Sequence, residues 1–134
     1  ISSVLMRAFP DMPVMRPSIV EGERKDRVYE LRSYEGPTEA MYHRKVDMFN
    51  EGGEVELFEN LGFNAVFYAD VISGDKMPNL MYMTTFSDMD KRNALWKNFV
   101  DSDKWKEISV MDKYVNTVSN ADIFLLYPTE YSDY

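Results

Sequence analysis

The sequence contains no cysteine and only one histidine. Without cysteine there is no disulfide, no thiolate-bound zinc or iron–sulfur cluster and no cysteine nucleophile, because each requires a sulfur atom. The carboxylates are scattered and show no spacing typical of a metal site. The GxGxxG, GxxxxGKS/T and GxSxG motifs are also absent, which argues against the common dinucleotide-binding, P-loop and hydrolase designs. We therefore expect neither a metal nor an organic cofactor.

Positive charge and long apolar runs are scarce as well. Lys and Arg number 15 against 23 Asp and Glu, so the formal net charge is −8, which repels phosphate backbones and makes nucleic acid an unfavourable partner. No apolar run approaches the roughly 18 to 20 residues of a membrane span, so we expect none. The chain of 134 residues is 45% hydrophobic, which suffices for one compact core.

The first 26 residues differ in composition from the rest. Pro10, Pro13 and Pro17 are spaced too closely for a helix or a central strand, because each removes a backbone donor and fixes φ. We predict an extended arm or linker over residues 1–26 and a folded domain over residues 27–134.

Within that domain, strand-like and helix-like patterns alternate. The predicted strands cover residues 28–34, 64–73, 80–86 and 122–126, where side chains alternate or are continuously apolar. One predicted helix covers residues 39–60 and is weakened at Gly52-Gly53. A second helical region follows the segment 87–90 and is interrupted at residues 101–103. The resulting order is βαββαβ.

This order predicts an α+β, ferredoxin-like fold in which a four-stranded antiparallel sheet carries its helices on one face. The second predicted strand is apolar on both sides, so the helix-free face also needs a cover. A like sheet is the natural partner. We therefore expect a dimeric α+β barrel, formed either by a homodimer or by a pseudo-dimer with a tandem copy, with a pocket inside.

Several blocks of the sequence resemble the NIPSNAP family. They are the segments 29–34 (YELRSY), 53–63 and 78–86, together with Trp96, Phe99 and Trp105. The resemblance implies a dimeric α+β barrel. It also implies that the segment 5–10 is the trailing edge of a preceding copy in a longer bacterial chain, which would explain why the sequence starts at Ile1. The superfamily includes cofactor-independent monooxygenases, haem-degrading enzymes and isomerases, so the resemblance leaves both activity and compartment open.

The candidate catalytic residues are Glu30, Arg32 and His43. Glu30 and Arg32 are two positions apart on a strand, so they share a face and could bind a carbonyl or an anion if that face lines the barrel; the alternative is a plain ion pair. His43 has Glu39 and Asp47 four residues away on either side, an arrangement that suits a general base or a haem ligand; the alternative is a surface histidine.

The candidate ligand-binding residues lie on the central strands and the second helical region. They are Tyr68, Asp70, Tyr82, Thr84 and Trp96. Phenols, a hydroxyl and an acid on neighbouring strands could form a polar pocket wall, and an indole could complete it. Core packing is the alternative for the aromatic side chains.

Three functions follow from these residues. The first is binding of a small apolar or amphipathic molecule, either between sheet and helices or inside the paired barrel. The second is a cofactor-independent monooxygenase or isomerase, in which His43 or Glu30 removes a proton and Arg32 stabilises the oxyanion. The third is a protein-interaction scaffold without a ligand, which predicts no concave polar pocket near Arg32.

Overall fold

In the computed structural model, which describes residues 1–133, five antiparallel strands form one sheet in the order β1-β3-β4-β2-β5. The strands are β1 (Leu5–Ala8), β2 (Val28–Glu35), β3 (Asn64–Ser73), β4 (Asn79–Phe86) and β5 (Asn120–Leu126). The helices are α1 (Glu39–Phe49), α2 (Glu54–Leu61), α3 (Met89–Asp101) and α4 (Asp103–Ile108). Tyr134, the last residue of the predicted domain, lies outside the described residues.

The α+β, ferredoxin-like class is confirmed, but the prediction of a four-stranded sheet is wrong. The fifth strand, β1, comes from the predicted arm and pairs with β3, so that Arg7 lies opposite Asp70. Beyond β1, Phe9 and Met12 are buried in the core. The prolines that follow exclude a central strand, but they leave the four residues before them free to pair at a sheet edge.

The helices begin and end where local chemistry requires it. The Thr38 side chain accepts a hydrogen bond from the backbone N–H of Met41 and caps α1, and Asp88 caps α3 in the same way through Lys91. Gly53, with a φ of 85°, separates α1 from α2, because a left-handed backbone favours glycine. The predicted break of the first helix is therefore confirmed.

The core lies between the helices and one face of the sheet. Even-numbered residues of β2 share this face with Tyr82 and Thr84 of β4, which lie opposite Arg32 and Glu30 respectively. Aromatic rings fill the space between the layers; the buried ones include Phe49, Phe58, Phe63, Tyr68, Tyr82, Phe86 and Phe99. None of the helices within residues 1–133 has both the length and the apolar composition needed to cross a membrane.

The helix-free face of the sheet carries apolar side chains in register. Leu31 of β2 lies opposite Met83 of β4 and Phe124 of β5, and Met83 lies opposite Phe67 of β3. Leu31, Met83 and Phe67 are half-buried, whereas Phe124 is exposed. An apolar stripe therefore crosses this face of the sheet.

Candidate functional site

A cavity of about 400 Å³ lies between the helix-bearing face of the sheet and the helices. Strands β2 and β4 supply its floor, and all four helices supply its walls. The lining residues are Arg32, Tyr34, Lys45, Glu54, Tyr82, Arg92, Trp96, Phe99, Val100 and Trp105. The cavity thus combines aromatic surface with a small set of charged groups.

Glu30 anchors the cationic side of this cavity. It is fully buried, and its carboxylate accepts hydrogen bonds from Arg32 Nε (2.6 Å), Arg92 Nε (2.7 Å) and Trp96 Nε1 (2.9 Å). Burial alone would raise the pKa of Glu30, but the hydrogen bond from Arg92, the charge and hydrogen bond of Arg32 and the hydrogen bond from Trp96 outweigh it and lower that pKa. Glu30 is therefore a carboxylate that holds two guanidinium groups in place.

The Arg32 guanidinium extends from Glu30 towards the aromatic residues. Its Cζ lies 3.7 Å from the centre of a Trp96 ring, a cation–π contact. Its Nη1 donates to Tyr34 Oη at 2.8 Å, and Tyr34 Oη is in turn 2.9 Å from Tyr82 Oη. Burial raises the pKa of the Tyr82 hydroxyl, which therefore stays protonated at neutral pH.

A second ion pair at the cavity joins Lys45 of helix α1 to Glu54 of helix α2. Lys45 Nζ is 2.9 Å from Glu54 Oε2, and both side chains are buried. The ammonium also lies within 6 Å of three ring centres, those of Phe49 (4.9 Å), Trp105 (5.7 Å) and Tyr34 (5.8 Å). Burial of a lysine requires such partners, because an isolated charge in an apolar environment is strongly unfavourable.

The structure brings Glu30 and Arg32 together on one face, as predicted. However, this is the face that packs against helix α3. A partner sheet would pack on the opposite, helix-free face. Arg92 and Trp96 lie one turn apart on helix α3, and both donate hydrogen bonds to Glu30, which holds this face against the helix. If the barrel pocket lies between two sheets, these two residues lie outside it.

The predicted ligand-binding residues occupy three different environments. Tyr82 and Trp96 line the cavity. Tyr68 and Thr84 are fully buried in the core and do not line it. Asp70 lies near the sheet edge, where it accepts hydrogen bonds from Arg7 and Tyr42.

His43 lies apart from the other candidate catalytic residues. Its side chain is 73% exposed, and Nε2 is 3.9 Å from Glu39 Oε2. Asp47, the other expected neighbour, accepts a hydrogen bond from Tyr114 at 2.7 Å instead. His43 lines a separate surface depression with Asp70, and the structure does not place it at the Arg32 cavity.

Sequence inspection missed Tyr34, Lys45, Glu54 and Arg92 as site residues. Lys45 carried a usable signal, because it falls between Tyr42 and Phe49 on the apolar stripe of its helix. Glu54 and Arg92 carried no comparable local signal. Among residues 1–133, no group of three or more His, Asp or Glu side chains is placed to hold a metal ion.

Comparison with known proteins adds a family and a fold. A sequence model of the NIPSNAP family matches residues 29–133. No curated protein matches the chain. A NIPSNAP family protein from Agrobacterium tumefaciens superposes with a TM-score of 0.68 at 18% identity, covering 79% of this chain and 96% of that one.

Two further solved structures share the fold. A NIPSNAP family protein of unknown function, also from Agrobacterium tumefaciens, has a TM-score of 0.65 at 19% identity and covers 84% of this chain and 97% of that one. A putative monooxygenase from Lactobacillus acidophilus has a TM-score of 0.54 at 11% identity and covers 83% of this chain but 49% of that one. At these identities the likeness concerns the fold alone.

Proposed function

This chain belongs to the NIPSNAP family, and we propose that it binds a small amphipathic molecule in the cavity between the sheet and the helices. The observation that carries the proposal is the composition of that cavity: aromatic walls around a few buried, oriented polar groups. Small-molecule sites in proteins have this composition and volumes of roughly 300 to 1,000 Å³. A protein-interaction scaffold without a ligand is expected to lack a concave polar pocket near Arg32, whereas Arg32 lines this cavity.

The state of Glu30 favours binding over proton abstraction. A general base needs a free lone pair within reach of the substrate, whereas both Glu30 oxygens accept hydrogen bonds from arginine side chains. Its lowered pKa also makes Glu30 a weaker base than an ordinary glutamate. His43, the other candidate base, lines a different depression. We therefore place the enzymatic alternative second.

The test fills the cavity mouth without disturbing the core. Val100 lines the cavity yet is 55% exposed, so Val100→Trp adds an indole at the rim. Val110 is 70% exposed and does not line the cavity, so Val110→Trp is the matched control. Binding of 2-naphthoate and of the neutral, isosteric 2-naphthamide is measured by isothermal titration calorimetry.

We expect at least one of the two probes to bind the unsubstituted protein and the Val110→Trp variant, and to bind Val100→Trp at least about tenfold more weakly, because the added ring occupies the same space. Failure of both probes to bind the unsubstituted protein would refute the proposal. Equal binding by the two tryptophan variants would place the ligand elsewhere.

We also propose that a second copy of this fold covers the helix-free face of the sheet. The stripe of Leu31, Phe67, Met83 and Phe124 supports this, because strands β2 to β5 thereby offer apolar side chains to a like surface related by a twofold axis. Light scattering should then give about twice the chain mass of 15.7 kDa, and Leu31→Lys should give the monomer. A monomeric unsubstituted chain would contradict this pairing for the separate polypeptide.

A further inference from the structure

The hydroxyl protons of Tyr34 and Tyr82 can be assigned by counting acceptors. Tyr82 is fully buried, and among residues 1–133 its hydroxyl has one hydrogen-bond partner, Tyr34 Oη. If Tyr34 donated to Tyr82, the Tyr82 proton would be buried without an acceptor, which is unfavourable by about 1 to 3 kcal/mol. Tyr82 is therefore the donor of this pair.

The Tyr34 oxygen then accepts twice, from Tyr82 and from Arg32 Nη1. A phenol oxygen has two lone pairs, so its accepting capacity is used and its own proton remains. Tyr34 lines the cavity, and no acceptor for that proton is found among residues 1–133. The structure thus presents an O–H donor to whatever occupies the cavity.

The charges around the cavity do not cancel. Three cations, Arg32, Lys45 and Arg92, face two carboxylates, Glu30 and Glu54, which leaves one positive charge. The side chains of Arg32 and Arg92 are only 12% and 20% exposed, so water compensates this charge poorly. The whole chain, by contrast, has a formal charge of −8, so the excess is local to this cavity.

We propose that the ligand carries a carboxylate that accepts the hydrogen bond of the Tyr34 hydroxyl and neutralises the excess charge, while its apolar body packs against Trp96 and Trp105. The inference rests on the proposed binding function and narrows its ligand to an amphipathic carboxylic acid. A neutral molecule would satisfy the hydroxyl but leave the positive charge unpaired.

The experiment compares 2-naphthoate with 2-naphthamide on the unsubstituted protein and on three variants. Tyr34→Phe removes the proposed donor, whereas Tyr82→Phe removes the other phenol oxygen of the same pair and leaves the Tyr34 proton available. The double variant Tyr34→Phe/Tyr82→Phe removes both hydroxyls and so leaves no buried hydroxyl without a partner, which separates a loss of binding from a loss of folding.

We expect 2-naphthoate to bind the unsubstituted protein at least about tenfold more tightly than 2-naphthamide, the difference typical of one hydrogen bond to a charged group. Tyr34→Phe and the double variant should each lose about tenfold or more in naphthoate affinity, whereas Tyr82→Phe should lose less than about threefold.

The possible failures are distinguishable. If neither probe binds the unsubstituted protein, the proposed function itself is wrong. If both probes bind equally tightly, the binding function stands and the carboxylate inference is overturned. If naphthoate is preferred but Tyr34→Phe and Tyr82→Phe lose affinity equally, the assignment of Tyr34 as the donor is overturned.

Discussion

Glu30→Gln is the substitution that most directly tests the site, because Glu30 holds both arginines of the cavity. The change keeps the size of the side chain and removes its charge. Arg32 and Arg92 would then lie largely buried without their carboxylate, and the new amide N–H₂ would face existing donors. Removing one partner of a buried ion pair destabilises a protein by about 3 to 5 kcal/mol. The residual exposure of the two arginine side chains points to the lower end of this range, about 3 kcal/mol.

Urea unfolding at fixed protein concentration, followed by the fluorescence of Trp96 and Trp105, measures this loss. With a slope of about 2 kcal/mol/M for a domain of this size, the midpoint should fall by about 1.5 M. Glu35→Gln, on the same strand, is the matched control: Glu35 pairs with Lys76 at the surface, so the change should stay within about 1 kcal/mol.

The loss should also depend on pH with a defined sign. Hydrogen bonds and the charge of Arg32 outweigh burial and hold the folded-state pKa of Glu30 below its ordinary value of 4.5. A depressed carboxyl pKa stabilises the fold fully above the unfolded-state pKa, and this stabilisation is lost as the pH falls through the folded-state pKa. The difference between the unsubstituted protein and Glu30→Gln should therefore be larger at about pH 6 than at about pH 3.5. A loss below about 1 kcal/mol, or one independent of pH, would refute the role assigned to Glu30.

Three further predictions test other parts of the fold by the same unfolding assay. Phe9→Ala should destabilise the fold by about 3 to 5 kcal/mol because Phe9 is buried. Val14 in the same arm is exposed, so Val14→Ala should change stability by less than about 0.5 kcal/mol. If Phe9→Ala has an equally small effect, Phe9 does not belong to the core. Lys45→Met should destabilise by about 3 kcal/mol because Glu54 loses its partner, and adding Glu54→Leu should restore most of that loss; no recovery would contradict the coupling. Gly62→Ala should destabilise by about 1 kcal/mol because of its φ of 87°, although nothing lies within 4 Å of the added Cβ; a neutral result would contradict that backbone conformation.

Local pattern was sufficient to predict most of the architecture. Strand β3 was predicted with both of its ends, and β4 differs by one residue at its start, because side-chain alternation and the turn between these strands act over a few neighbours. The break at Gly53 followed from the conformational freedom of glycine in the same way. The family was also recognisable from short blocks of sequence, and its membership is confirmed.

Long-range contacts account for what local pattern could not predict. The β1 strand was missed because its pairing with β3 joins residues more than sixty positions apart. The four residues Leu5–Ala8 carry no local pattern that indicates this pairing. The hydrogen-bond network around Glu30 was missed for the same reason: Glu30 meets Arg92 and Trp96 across 62 and 66 residues of chain. The periodicity of a strand predicts on which face of the sheet a side chain lies. Which residues contact that face depends on how helix α3 packs over β2. The amino-acid order thus set the strands, the helices and their apolar faces, while the arrangement of charges, phenols and rings around one hollow arose only when distant segments packed together.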